Sequence, residues 1–469
     1  MIVSFYTLGC KLNQLETEAL ASSFRRQGFL IVSGRERADI YILNSCTVTS
    51  RSDQKGRKWI RNALRLNPEG LIIATGCYAE LEPEVLESLS ENVLVVNQED
   101  KALLLDLPDV LREDFRVEDF GSLPASEKLE LVRDAIERLR KRERFKSSLD
   151  RRFAYTLTHF NFHSRAFLKI QDGCDYRCSY CRVPLARGNS ISLDYEKIVE
   201  RIKLLESMGY NEIVLTGVNI ASYRYNNYDF PLLLERILGS GLRSRVRLSS
   251  IEPEKIDPRL GSIISDERIC PHFHIPAQSF SDSVLRLMRR RYNSSVFPNI
   301  FKILREAKDN PFIALDIIVG FPGEREEDFW RTYRQIEEHR PAKIHVFPYS
   351  PRPGTDAYNY REHVPERVRD ERVHRIIELS ESLEIEYASG WVGKTVEIVI
   401  EKAEKTRIMG VSENYLKVVA PIVNGKAISG KAEGYNPVLK VKAGVNYRTG
   451  DMVRVRIVRA GNPCEGIVI

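Results

Sequence analysis

Three cysteines within eight residues, Cys174, Cys178 and Cys181 in the run GCDYRCSYC, constrain this chain more than any other feature. The spacing Cys-x3-Cys-x2-Cys puts three thiolates on one short loop. Three thiolates hold three irons of a 4Fe-4S cube and leave the fourth iron without a protein ligand. A zinc site takes four ligands, commonly in paired clusters, and no second cysteine pair lies nearby. An open iron can bind the amino and carboxylate groups of S-adenosylmethionine (SAM). An electron from the cluster then breaks a carbon–sulfur bond and releases a deoxyadenosyl radical.

The loop follows a predicted strand at 166–170, the first of a series. Further strands are expected at 212–216, 245–250, 270–275, 312–319 and 343–347, with helices between them. Repeated β/α units of this kind predict a full or partial TIM-type barrel over 156–388, with its site at the C-terminal strand ends. Four polar segments fall at such ends. They are LTGVN with Gly217 and Asn219, RLSSIEP with Ser250 and Glu252, HFHIPAQS with His272, His274 and Gln278, and DIIVGFPGE with Asp316, Gly320 and Gly323. Each alone is weak; around one barrel mouth they suggest a ligand pocket.

Residues 1–112 read as a separate parallel α/β domain, with strands at 2–8, 39–44 and 71–75 and helices between. Cys10, Cys46 and Cys77 each lie just past one of these strands. In a parallel sheet the C-terminal strand ends share one edge, so the three thiols are expected to converge. A second cluster with an open iron is the reading taken; three buried cysteines would be the alternative. Cys270 falls in an apolar strand and is expected in the core, and Cys464 is given no role.

Residues 113–155 are expected to be a linker. Within it, 133–152 holds nine basic and four acidic residues and reads as an exposed helix, with phosphate contact left open. The last 79 residues, 391–469, change to short β-rich runs with Gly-containing turns, a small all-β barrel. They carry thirteen Lys and Arg against seven Asp and Glu, the whole of the chain's net charge of +6. A nucleic-acid partner and a merely solvated basic surface both fit that excess. The start lacks a signal-peptide pattern and no run is long and apolar enough to span a bilayer, so a cytoplasmic protein is expected. P-loop, dinucleotide and Ser-His-Asp patterns are absent.

These residues together resemble the methylthiotransferase family, radical SAM enzymes with an N-terminal three-cysteine domain, a radical SAM barrel and a C-terminal TRAM domain. The likeness spans nearly the whole chain. TLGCKLNQLETE (7–18), NSCTVT (44–49) and HVFPYSPRPGT (345–355) resemble the branch that modifies threonylcarbamoyladenosine in tRNA; isopentenyladenosine tRNA or a ribosomal protein are the alternative substrates. The resemblance implies two 4Fe-4S clusters, on Cys174, Cys178 and Cys181 and on Cys10, Cys46 and Cys77. It also implies SAM contacts from Tyr180, Gly217, Asn219, Ser250, Glu252, Gln278 and Asp316, and as partners a tRNA, an electron donor and a sulfur source. Phe280 and Arg325 stand where the family usually has Gly and Thr. A non-catalytic iron–sulfur RNA-binding protein is the reading from another class.

Overall fold

The structure, a computed structural model, describes residues 1–32, 34–114, 117–142, 147–157, 160, 162–422 and 447–469. Parts of two expected segments, 143–146 and 423–446, lie outside the described residues.

The N-terminal sheet has five parallel strands: Ile2–Thr7 (β1), Leu30–Val32 (β2), Ile40–Ser45 (β3), Leu71–Gly76 (β4) and Val93–Val95 (β5), in the order β2-β1-β3-β4-β5. Every residue of β3 and β4 is buried, as continuous apolar runs covered on both faces should be. The three-residue strands β2 and β5 were not anticipated; they are too short to show a period. Helices Lys11–Arg26 (α1) and Ser50–Leu66 (α2) follow β1 and β3. The Thr49 hydroxyl accepts from Ser52 N at 3.2 Å and starts α2. A short helix, Cys77–Leu81 (α3), follows β4 directly.

The exposed linker expected before the barrel is corrected here. Helix Ala125–Lys141 (α4) buries Leu129, Val132, Ala135, Ile136 and Leu139. Its apolar residues recur at helical spacing and cover the sheet. Lys128 is fully buried and donates to the carbonyls of Glu69 and Gly121.

The central unit has six parallel strands: Ala166–Lys169 (β6), Glu212–Thr216 (β7), Arg245–Leu248 (β8), His272–Gln278 (β9), Phe312–Val319 (β10) and Lys343–Pro348 (β11). They form two three-stranded halves, β8-β7-β6 and β9-β10-β11. A parallel bridge from Val246 to Ile269 joins the halves into a partial barrel. Helix Glu366–Ser389 (α5) leads to a closed five-stranded barrel of Thr395–Ala403 (β12), Arg407–Ser412 (β13), Lys417–Pro421 (β14), Met452–Arg459 (β15) and Cys464–Val468 (β16). This module docks at the starts of β7, β8 and β9, the end of the central strands opposite the cysteine loop. Arg245 and Arg247 both pair with Glu212 and donate to the carbonyls of Glu397 and Ser412, and Tyr415 stacks on His272 at 4.1 Å. Cys270 and Cys464 are buried. No helix among the described residues is long and apolar enough to cross a membrane.

Candidate active site

The loop carrying Cys174, Cys178 and Cys181 turns at Gly173, whose φ is +70°. A β-carbon there would lie 2.0 Å from the Asn189 carbonyl oxygen, so only glycine fits. The end of the short helix Val183–Arg187 holds the loop: Cys174 N donates to Gly188 O at 3.0 Å. Arg290 Nη1 donates to Cys178 Sγ at 3.2 Å, and its Nη2 pairs with the Glu252 carboxylate. Burial pushes the thiols of Cys174 and Cys181 up to about 11 and about 12, so each carries its proton at neutral pH until a metal displaces it.

Cys10, Cys46 and Cys77 lie at the C-terminal ends of β1, β3 and β4, three adjacent strands. The loops are tied together. Asn13 Nδ2 donates to Leu8 O and Ser45 O, Asn44 Nδ2 donates to Asn13 O, and Ser45 Oγ accepts from Ala79 N. A β-carbon on Gly9 (φ +101°) would sit 2.7 Å from Cys46 Cβ and 2.8 Å from its sulfur. The glycine therefore lets the Cys10 turn press against Cys46. Burial pushes the Cys46 thiol up to about 12 and the Cys77 thiol up. Among the described residues no three His, Cys, Asp or Glu side chains are close enough for a single metal ion. A cube, whose thiolates bind separate iron corners, spreads its ligands wider, and two all-cysteine sets of three suit it.

One cavity of about 210 Å³ touches both cysteine groups: Cys77 and Cys181 line it, with Tyr180, Gln278 and Asp316. Three of the seven expected cofactor contacts are thus on its wall. Ser250 reaches it through a relay, its hydroxyl 2.8 Å from His274 Nδ1 and His274 Nε2 2.7 Å from Asp316 Oδ1. Glu252 reaches the loop through Arg290. Burial pushes its carboxyl up to about 7 against the pull of that arginine. Gly217 and Asn219 do not line this cavity. Gly217 crowds Gln171 Oε1, which accepts from Asn219 N at 2.8 Å. The Asn219 side chain is buried, and neither its oxygen nor its nitrogen has a partner among the described residues. An orphaned amide at the end of a barrel strand is a fitting handle for a polar ligand.

Two ionic clusters flanking the cavity were not foreseen. On one side Arg187 donates to Glu16 at 3.0 Å, Asp172 at 3.1 Å and Asn13 Oδ1 at 2.7 Å, and reaches Cys77. Lys169 bonds Glu16 at 3.1 Å and Asp172 at 2.7 Å, and Lys101 bonds Glu16. All five charged groups are almost fully buried. On the other side Arg182 and Arg352 bind Thr47, with Glu82 and Asp53 as their acidic partners. The two clusters fasten the N-terminal domain to the barrel. Around Glu16, helix α1 also buries Asn13, Thr17 and Glu18.

Residues 168–336 match the Radical SAM superfamily and residues 2–97 match Uncharacterized protein family UPF0004. A solved radical S-adenosylmethionine methyltransferase, TsrM, from Kitasatospora setae shares the fold at TM-score 0.50 and 13% identity, over 76% of each chain. The class is therefore that of radical SAM proteins. The threonylcarbamoyladenosine tRNA methylthiotransferase MtaB of Bacillus subtilis is 37% identical over 97% of this chain and 96% of that protein. Its namesake in Treponema pallidum is 36% identical over 98% of both. A tRNA-2-methylthio-N(6)-dimethylallyladenosine synthase from Endomicrobium trichonymphae is 30% identical over 88% of this chain. This chain belongs to the radical SAM methylthiotransferase family.

Proposed function

We propose that this protein is a tRNA methylthiotransferase that adds a methylthio group to carbon 2 of N6-threonylcarbamoyladenosine beside the anticodon. Its cofactors are SAM and two 4Fe-4S clusters, one on Cys174, Cys178 and Cys181 and one on Cys10, Cys46 and Cys77. The observation that carries the reading is the single cavity lined by a cysteine of each group. When bound, the first cluster supplies the electron that cleaves SAM to a radical, and the second holds the sulfur that is transferred. An aromatic C–H offers no acidic proton to a base, so a radical route is the one that suits carbon 2.

The chain's own residues do the rest. Arg290 orients Cys178 and neutralises Glu252. Asn219 offers an unpaired donor and acceptor to SAM. Tyr180, Gln278 and Asp316 line the cavity that Cys77 and Cys181 share, and the His274–Ser250 relay fixes the Asp316 carboxylate. The two ionic clusters hold the domains in register, which keeps the cysteine groups facing one space. The threonylcarbamoyl substrate is supported by relatives of that name at 36–37% identity over nearly the full chain, against 30% over 88% for the dimethylallyl relative. We place the enzyme in the cytoplasm, with an electron donor and a sulfur source as further partners.

The test uses anaerobically reconstituted protein and nucleoside analysis of tRNA. Cys178→Ala should abolish SAM cleavage. Cys46→Ala should spare cleavage and abolish sulfur insertion; normal product from it would sink the two-cluster reading. An unchanged methylthio-threonylcarbamoyladenosine pool in a deletion strain would refute the substrate.

A further inference from the structure

Helix α2 begins at the cavity mouth. Val48 and Thr49 line the cavity, and Ser50 N donates to Ser350 Oγ, another lining residue, at 3.1 Å. From there the helix presents Arg51, Lys55, Lys58, Arg61 and Arg65 to solvent. Their spacing of three, four and seven residues keeps them within one third of the helix circumference, along roughly 21 Å of axis. Its buried stripe, Gly56, Trp59, Ile60 and Ala63, covers the sheet on the other side.

Exposed charge runs are ordinarily just solvated. Three observations separate this one. First, the helix has a single acidic residue, Asp53, and that one is turned inward to Arg352. Arg51, Lys55, Lys58 and Arg61 have no acidic partner among the described residues, whereas on the long helix α5 Arg375 pairs with Glu371 and Arg369 with Glu366. Second, the mouth beside the helix is apolar and open. Val48 is 60% exposed and Phe347 is 40% exposed, although both line the cavity. An exposed aromatic beside a cationic track suits an unstacked base next to its phosphates. Third, the described strands of the basic β-barrel module dock at the far end of the central strands, away from this mouth.

We propose that the exposed face of α2 is the track for the phosphodiester backbone of the substrate RNA next to the modified adenosine, with Phe347 against the extruded base. This rests on the tRNA reading above and adds the surface that presents the RNA to the cavity.

The test measures tRNA binding by the reconstituted full-length enzyme as a function of KCl. Four changes are combined: Arg51→Gln, Lys55→Gln, Lys58→Gln and Arg61→Gln. All four side chains are exposed, so the fold should be retained. Each lost phosphate contact lowers the slope of log K against log salt by about 0.7–0.9, so the quadruple variant should lose about 3. Its affinity near 0.1 M salt should fall at least tenfold, with KM for tRNA rising by the same factor. A matched quadruple on other faces, Lys203→Gln, Arg331→Gln, Arg334→Gln and Arg367→Gln, should change neither. An unchanged slope in the α2 variant, or an equal loss in the matched one, would overturn the proposal. If the unmodified enzyme neither binds nor methylthiolates tRNA, the functional reading itself has failed.

Discussion

Glu16→Gln tests the buried ionic cluster that joins the two domains. The carboxylate lies among Arg187, Lys101 and Lys169, and Asp172 is the only other anion in the group. Burial would push the Glu16 pKa up, but Arg187, Lys101 and Lys169 hold it well below the usual carboxylate range. Gln keeps the shape and an acceptor oxygen and removes the charge. Three buried cations then face one carboxylate. Breaking a buried charge pair costs about 3–5 kcal/mol because the surviving charge stays desolvated. For two joined domains of this size that is a fall of about 4–6 °C in the thermal midpoint. The sign with pH follows from the depressed pKa: the carboxylate stabilises the fold above its unfolded value of 4.5, and that contribution is lost as pH falls below it. The gap between wild type and variant should therefore be full at pH 7.5 and shrink once pH drops below 4.5. Circular dichroism melts of the full chain would measure it. A Lys101→Met companion should couple, the double variant costing less than the sum of the two single changes. A midpoint shift under about 2 °C, well below what this loss implies, or strictly additive effects, would refute the energetic role of the cluster.

Gly9→Ala drives a β-carbon into Cys46, so the iron content after reconstitution should drop from about eight to about four atoms per chain, read by iron assay; full loading would contradict the packing argument. Asn219→Ala should weaken SAM binding about tenfold by calorimetry and leave the melting temperature within about 2 °C, since the amide has no partner among the described residues to lose. A large loss of stability with unchanged SAM affinity would reverse that assignment. Burial raises Glu324 from 4.5 to about 7. A raised carboxyl holds its proton more tightly when folded, so its contribution is greatest below pH 4.5 and is lost as pH climbs to 7. Glu324→Gln keeps an acceptor for the N–H groups of Gly320 and Phe321. It should remove that dependence, and parallel pH–midpoint curves for the two proteins would count against it.

What could be read from the sequence, and what could not, divides along the range of the forces involved. The loop of Cys174, Cys178 and Cys181 was legible because its chemistry is contained in eight residues. Convergence of Cys10, Cys46 and Cys77 was legible because apolar runs mark the strands and a parallel sheet aligns their ends. The stretch 133–152 was misread because its charges outnumber its apolar residues, while the spacing of Leu129, Val132, Ile136 and Leu139 is what a packed helix needs. Glu16, Lys101, Lys169, Asp172 and Arg187 carried no local mark of burial, since whether a charge is buried depends on segments 85 to 171 residues away. Their sum is the informative part. Three cations against two carboxylates leave one positive charge among almost fully buried groups, and a buried surplus of that kind is costly. Arg187 of that set lies close enough to Cys77 to favour its thiolate. A thiolate at Cys77, as the proposed cluster requires, would place a negative charge beside that surplus.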